Sequence, residues 1–195
     1  MLKKRVFHLI LAITLVMLTA VSAQAQVLNV TECIQEQDQW CWAGTSQCVL
    51  YYYGYNYQQC DIANYTRLNA TFHDFGTTDC CVDPTQGCNY WNYNYGYDGS
   101  IQDILIDMGS ISNYGIGTYL TTTEVQTEIT AGRPFVIRWK VPGGGHFIIG
   151  HGLVGDNLYY MDPWFGEGLK VATYNWVKKH GGYAWTHTNV ITTNP

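Results

Sequence analysis

All seven cysteines of this 195-residue chain fall between positions 33 and 88. An odd set crowded into one part of the chain limits the possible folds sharply. If the thiols oxidise, that part is stapled, the rest must cohere through its own secondary structure, and one sulfur is left over. Oxidation depends on the compartment. The chain opens Met1-Leu2-Lys3-Lys4-Arg5 and runs apolar from Val6 to Val21, broken by His8, Thr14 and Thr19, before a small-residue site at Ala23-Gln24-Ala25. A charged start, an apolar stretch and an A-x-A site predict a signal peptide over 1–25 and a secreted or periplasmic protein, with an uncleaved membrane anchor as the competing reading. In an oxidising setting six of Cys33, Cys41, Cys48, Cys60, Cys80, Cys81 and Cys88 can pair, in any of 15 ways, and the seventh is free, reactive or joined to another chain. Zinc is the weaker account, because C-x2-C spacing is absent and Cys80-Cys81-x6-Cys88 is a poor ligand set. No metal or cofactor is expected.

Charged residues make up 13% of the chain and aromatics 15%, which argues against disorder, and no Gly period or heptad run supports a fibrous reading. Cleavage after Ala25 would remove Lys3, Lys4 and Arg5 and no acid, taking the formal net charge from -5 to -8. An acidic chain lacks the basic face that nucleic acid requires, so none is expected as a partner. A single monomeric domain over 26–195 is expected, with no membrane attachment after cleavage.

Trp40 to Tyr53, Ile101 to Met108 and Thr122 to Thr130 carry helical apolar spacing, with glycines at 54, 109 and 132 as stops. Pro134–Trp139, His146–Val154 and Leu158–Met161 read as strands, the last two joined by Gly155-Asp156-Asn157. Helices first and antiparallel strands after predict an α+β fold: a disulfide-bearing helical lobe over about 26–115 and a β lobe over about 116–195. Two Tyr/Asn-rich runs, 51–57 and 89–95, are either loop packing or an aromatic binding surface.

Trp40-Cys41-Trp42 places a thiol at a helix start, where the dipole favours thiolate. A nucleophile needs a base, and the base an orienting partner. His146 follows Gly143-Gly144-Gly145, small residues that leave room for a substrate backbone, and Asp162 stands 16 residues on, across the predicted hairpin. His151 competes for the base role but is five residues away, on the opposite strand face. The Cys41 N–H could serve a developing oxyanion, together with the amide of Gln35, Gln37 or Gln39, among which local reasoning does not choose.

Gln35-x5-Cys41-Trp42-Ala43, then Gly145-His146, then Asp162-Pro163-Trp164-Phe165-Gly166 resembles the papain superfamily of cysteine proteases. The pattern is most similar to its short bacterial members, among them secreted effector proteases. The resemblance implies a papain-like fold and a catalytic set of Cys41 as nucleophile, His146 as base, Asp162 as orienter and Gln35 as oxyanion donor. It also implies substrate contacts at Trp42, Gly145 and Trp164, with Trp164 shielding the His–Asp bond. Papain has Asn at the orienting position and Cys-Gly-Ser-Cys-Trp at the nucleophile, so its disulfide framework does not carry over to Cys41-Trp42-Ala43-Gly44. Only 15 residues separate the expected cleavage site from Cys41, too few for an inhibitory pro-region, so restraint is expected from a separate protein inhibitor, redox state or narrow specificity. The expected function is peptide-bond hydrolysis through an acyl-enzyme on a protein or peptide substrate. Two readings compete: acyl transfer to an amine on the same triad, and a non-catalytic, disulfide-rich protein binding through its tyrosines.

Overall fold

The computed structural model describes residues 26–195, so the expected signal peptide, 1–25, lies outside the described residues. The first half is helical. Helix α1 (Cys41–Tyr52) is buried continuously from Trp42 to Leu50, as a helix must be when it is surrounded on all sides by protein. It packs on α2 (Gln59–Asn69) and α3 (Ile101–Gly109) on one side and on the sheet on the other. Helix α2 is polar, with few buried apolar residues. A Gln58/Asp61 capping box opens it, and the Cys60–Cys81 disulfide ties it to the loop that follows. A second bridge, Cys80–Cys88, closes that loop.

The second half is antiparallel sheet. Its strands are β1 (Gln26–Val27), β2 (Asn113–Ile116), β3 (Phe135–Val141), β4 (Gly144–Val154), β5 (Asn157–Asp162), β6 (Gly168–Thr173), β7 (Lys179–His180) and β8 (Tyr183–Ile191). The main order is β2-β8-β3-β4-β5-β6, with β1 on β4 and β7 on β8. Helix α4 (Thr122–Thr130), opened by a Thr121/Glu124 capping box, and the short α5 (Tyr174–Lys178) complete the fold. The protein is α+β, helices ahead of an antiparallel sheet. The two parts interleave at their margins, since β1 pairs with β4 and β2 with β8 from within or beside the 26–115 stretch.

Two glycines set close approaches. A Cβ at Gly44 would stand 3.1 Å from the Pro163 side chain and 3.3 Å from the Cys33 carbonyl, so α1 passes close by the 33–35 segment and the turn after Asp162. A Cβ at Gly150 would meet the Phe135 ring at 2.3 Å. No helix among the described residues is long and apolar enough to cross a membrane.

Candidate active site

Cys41 is the first residue of α1, where helix geometry leaves backbone N–H groups unpaired and concentrates the positive end of the dipole. The turn before it is closed by the Trp40 N–H donating to the Gln37 carbonyl at 3.0 Å. One turn further on, the Thr45 hydroxyl donates to the Phe147 carbonyl at 3.2 Å. That contact fixes the start of α1 against β4, beside His146.

Strand register delivers the next pair. The β4–β5 ladder sets Ile149 opposite Met161. Carried one step further, it places Ile148 opposite Asp162. His146, two residues before Ile148 on the same face, is then a diagonal neighbour of Asp162, within side-chain reach. The two meet at 2.6 Å through His146 Nε2 and Asp162 Oδ1. With Nε2 engaged, Nδ1 is the ring nitrogen left for the Cys41 thiol, which shares the cleft with the ring and acts on its charge. The Trp164 N–H also donates to Asp162 Oδ1, at 2.9 Å, and the Trp164 indole stands edge-on to His146 at 6.1 Å. Burial alone would pull His146 down. Hydrogen bonds to Asp162 and Cys41, with their charges, outweigh it, and the imidazolium is pushed up to about 10.

The remaining sequence-derived candidates fall in different places. Gln35 is 1% exposed; its Nε2 donates to the carbonyls of Gln37 at 2.8 Å and Asp38 at 3.1 Å, while its Oε1 is buried without a partner. Both amide hydrogens therefore support the turn leading into Cys41. The Gln35 N–H donates to the Pro163 carbonyl at 2.7 Å, joining that segment to the Asp162 turn. Trp42 is fully buried, off the cleft, and its indole donates to the Tyr90 carbonyl at 2.9 Å. Trp40, also buried, donates to the Cys88 carbonyl at 2.8 Å. Gly145 lines the cleft, and a Cβ there would strike the Arg138 guanidinium at 2.8 Å, so the small residue makes room for that arginine. His151 is buried on the N-terminal segment, its ring bonded to the Leu28 carbonyl at 3.0 Å, and does not reach the thiol.

Cys41, His146, Asp162 and Trp164 open into a cleft of about 910 Å³. One wall is Trp91, Asn92 and Tyr93; the other includes Trp139, Trp176 and His180. Trp91 stacks on Phe72 at 5.6 Å, and His180 stacks on Trp176 at 3.5 Å. Trp91, Trp164 and Trp176 remain 43%, 45% and 42% exposed, large rings left open around one groove. The 89–95 run thus supplies a cleft wall, whereas in the 51–57 run Tyr52 and Tyr53 bond to the carbonyls of Gly132 and Thr193. The second wall was missed from sequence. Trp139 stands 41 residues before His180, and the four-residue spacing of Trp176 and His180 does not by itself mark a cleft wall. Cys60, Asp61 and Cys81 form the one close group of metal-ligand types among the described residues, but its two sulfurs are joined in a disulfide.

Residues 24–190 match a family model described as the peptidase C39-like family. Among solved structures, the chain is similar to a C39-like peptidase from Bacillus anthracis at 17% identity and TM-score 0.57, covering 87% of this chain and 99% of that one. It is similar to the peptidase domain of Streptococcus ComA, a bifunctional ABC transporter in a quorum-sensing pathway, at 14% identity and TM-score 0.57, covering 84% and 98%. A double-glycine-motif protease from an AMS/PCAT transporter, solved with its leader peptide, aligns at 15% identity and TM-score 0.51, covering 85% and 93%. No curated protein matches the chain in sequence. The likeness to these structures lies in the fold.

Proposed function

Because this chain belongs to the peptidase C39-like family and is a cysteine peptidase, we propose that it is an exported endopeptidase working through Cys41, His146 and Asp162. The observation that carries the reading is the His146–Asp162 bond at 2.6 Å in the same aromatic-walled cleft as Cys41, whose thiol bears on the charge of the ring. In this reading the Cys41 thiolate attacks a peptide carbonyl carbon, and the electron pair of the C=O bond moves to oxygen. The Cys41 N–H, unpaired at the helix start, donates to that oxyanion. Gln35 holds the 37–38 turn at rest; to donate to the oxyanion it would release one of its two carbonyl bonds. His146 gives its proton to the departing amine as the C–N bond breaks, leaving a thioester. It then takes a proton from water as water attacks the thioester, and the acid product and thiol are released. Asp162 keeps the ring oriented throughout and favours its charged form before the first proton transfer and after the second.

The substrate is a peptide segment laid along the cleft, with apolar or aromatic side chains against Trp91 and Trp176. The leader peptide bound by the third structural neighbour supports a peptide substrate, and the Met1–Ala25 sequence supports export. The test is Cys41→Ala, followed by turnover of a protein substrate and by circular dichroism. Turnover should vanish with the fold intact. Cleavage that survives the change would sink the assignment.

A further inference from the structure

We propose that Cys33 and Cys48 are the two halves of a third disulfide, so that Cys41 is the one thiol left free. Four cysteines are already paired, as Cys60–Cys81 and Cys80–Cys88, and Cys33, Cys41 and Cys48 stand as thiols. Cys33 and Cys48 are adjacent. Their sulfurs share one acceptor, the Thr31 carbonyl oxygen, at 3.7 Å from Cys33 and 2.6 Å from Cys48, which brings the two thiols to one point. Both side chains are buried, at 4% and 0% exposure. The backbones are close as well. The Cys33 carbonyl lies 3.3 Å from where a Cβ on Gly44 would stand, and Gly44 is one helical turn before Cys48 on the same face of α1.

As thiols the pair contributes weak donors and little else. Neither lines the cleft, and neither belongs to the metal-ligand group among the described residues. As a bridge they would close a loop between positions 15 residues apart and restrict the unfolded chain. The bond would also bind the segment carrying Gln35 to the helix that begins with Cys41.

The step is thiol–disulfide exchange with a small or protein disulfide as oxidant. One cysteine thiolate attacks a sulfur of that disulfide and expels a thiolate. The second cysteine displaces the mixed disulfide, and the oxidant leaves as two thiols carrying the two hydrogens removed. Burial, with the Cys33 neighbour adding to it, pushes the Cys48 thiol far up, so little thiolate is present once the segment has docked. Exchange therefore belongs to folding, before residues 31–35 close onto α1. Once formed, the bond is out of reach of external reductant.

The test is made on full-length protein carrying Cys41→Ala, refolded in oxidised and reduced glutathione, denatured without reductant, alkylated with iodoacetamide and weighed. Three bridges give no label, a mass six hydrogens below the reduced chain, and a linked Cys33–Cys48 peptide on mapping. Labels on both Cys33 and Cys48 overturn the proposal, as does either one linked to a different cysteine. In the same assay, adding Cys48→Ser should expose a single label on Cys33, with the other two bridges unchanged. With Cys41 intact, the Cys33→Ser/Cys48→Ser protein should melt about 6–12 °C lower than its oxidised parent. This outcome does not depend on what Cys41 does.

Discussion

Asp162→Asn removes the charge that holds the His146 imidazolium and keeps a side chain of the same size. In the intact protein the two groups touch at 2.6 Å, with side chains 12% and 10% exposed, so water screens them little. Burial opposes the charged ring, yet the bonds and charges of Asp162 and Cys41 raise it to about 10. An opposite charge at this range moves a titration by roughly 1–3 units, so the Asp162→Asn protein should titrate near ~7–9. At pH 7 that variant keeps at least about half of its His146 charged, and titration alone lowers activity by at most about twofold. At pH 9 the intact protein keeps about nine-tenths charged and the variant between about one-half and one-hundredth, a loss of about 2- to 90-fold. The defect should therefore grow with pH. The same sign applies to stability: the raised His146 contributes fully below its unfolded value of 6.5, and that contribution is lost as pH rises through about 10. Histidine NMR on 13C-labelled protein would follow the midpoint directly, and a pH profile of kcat/KM its catalytic effect. A midpoint unmoved by the substitution would refute the claim that Asp162 holds the charge on the ring.

Gly150→Ala should cost about 1–3 kcal/mol, because its Cβ would meet the buried Phe135 ring at 2.3 Å and that ring is backed by Trp185, stacked at 5.7 Å. An unchanged denaturant midpoint would contradict that packing. Trp91→Ala should raise KM by about 2- to 13-fold with kcat nearly constant, as expected for a ring that binds substrate and transition state alike. A fall in kcat alone would place the ring in the chemical step. Burial lowers His151, so as pH falls below 6.5 the unfolded chain takes up a proton the folded one resists, and stability is lost toward the folded value. His151→Gln should flatten that acid loss in thermal melts while turnover persists; full loss of turnover would return His151 to the site.

Where local chemistry and burial agreed, the chain was readable. Thr122–Thr130 is a helix at both expected ends, because Thr121 and Glu124 supply a capping box and Val125 and Ile129 the buried face. Ile101–Met108 extends one residue further, through Gly109, and its left-handed cap is Ser110 at φ 51°. Helix α2 went unread because its surface is polar and its place is held by Cys60–Cys81 and by Gln59, whose amide donates to Ile34 and Gln47. Strand β8 pairs with β2, β3 and β7, yet its Thr, His and Asn residues interrupt any apolar alternation. The place of Cys41 at a helix start and the meeting of His146 with Asp162 were legible because spacing reports helix start and hairpin register. The environments of Trp42 and Gln35 were not. A tryptophan beside Cys41 can face the groove or the core, and only the position of the Tyr90 carbonyl decides for the core.

The residues on either side of Cys41 fasten the neighbouring loop by its main chain: Trp40 to the Cys88 carbonyl, Trp42 to the Tyr90 carbonyl. A carbonyl is the same whatever side chain it carries. The mounting of Cys41 is thus indifferent to which rings the 89–93 segment displays, and exchanging those rings should leave the thiol in place. On the function proposed above, reactivity and taste are separable: a library confined to Trp91 and Tyr93 should vary what is cut while leaving how it is cut untouched.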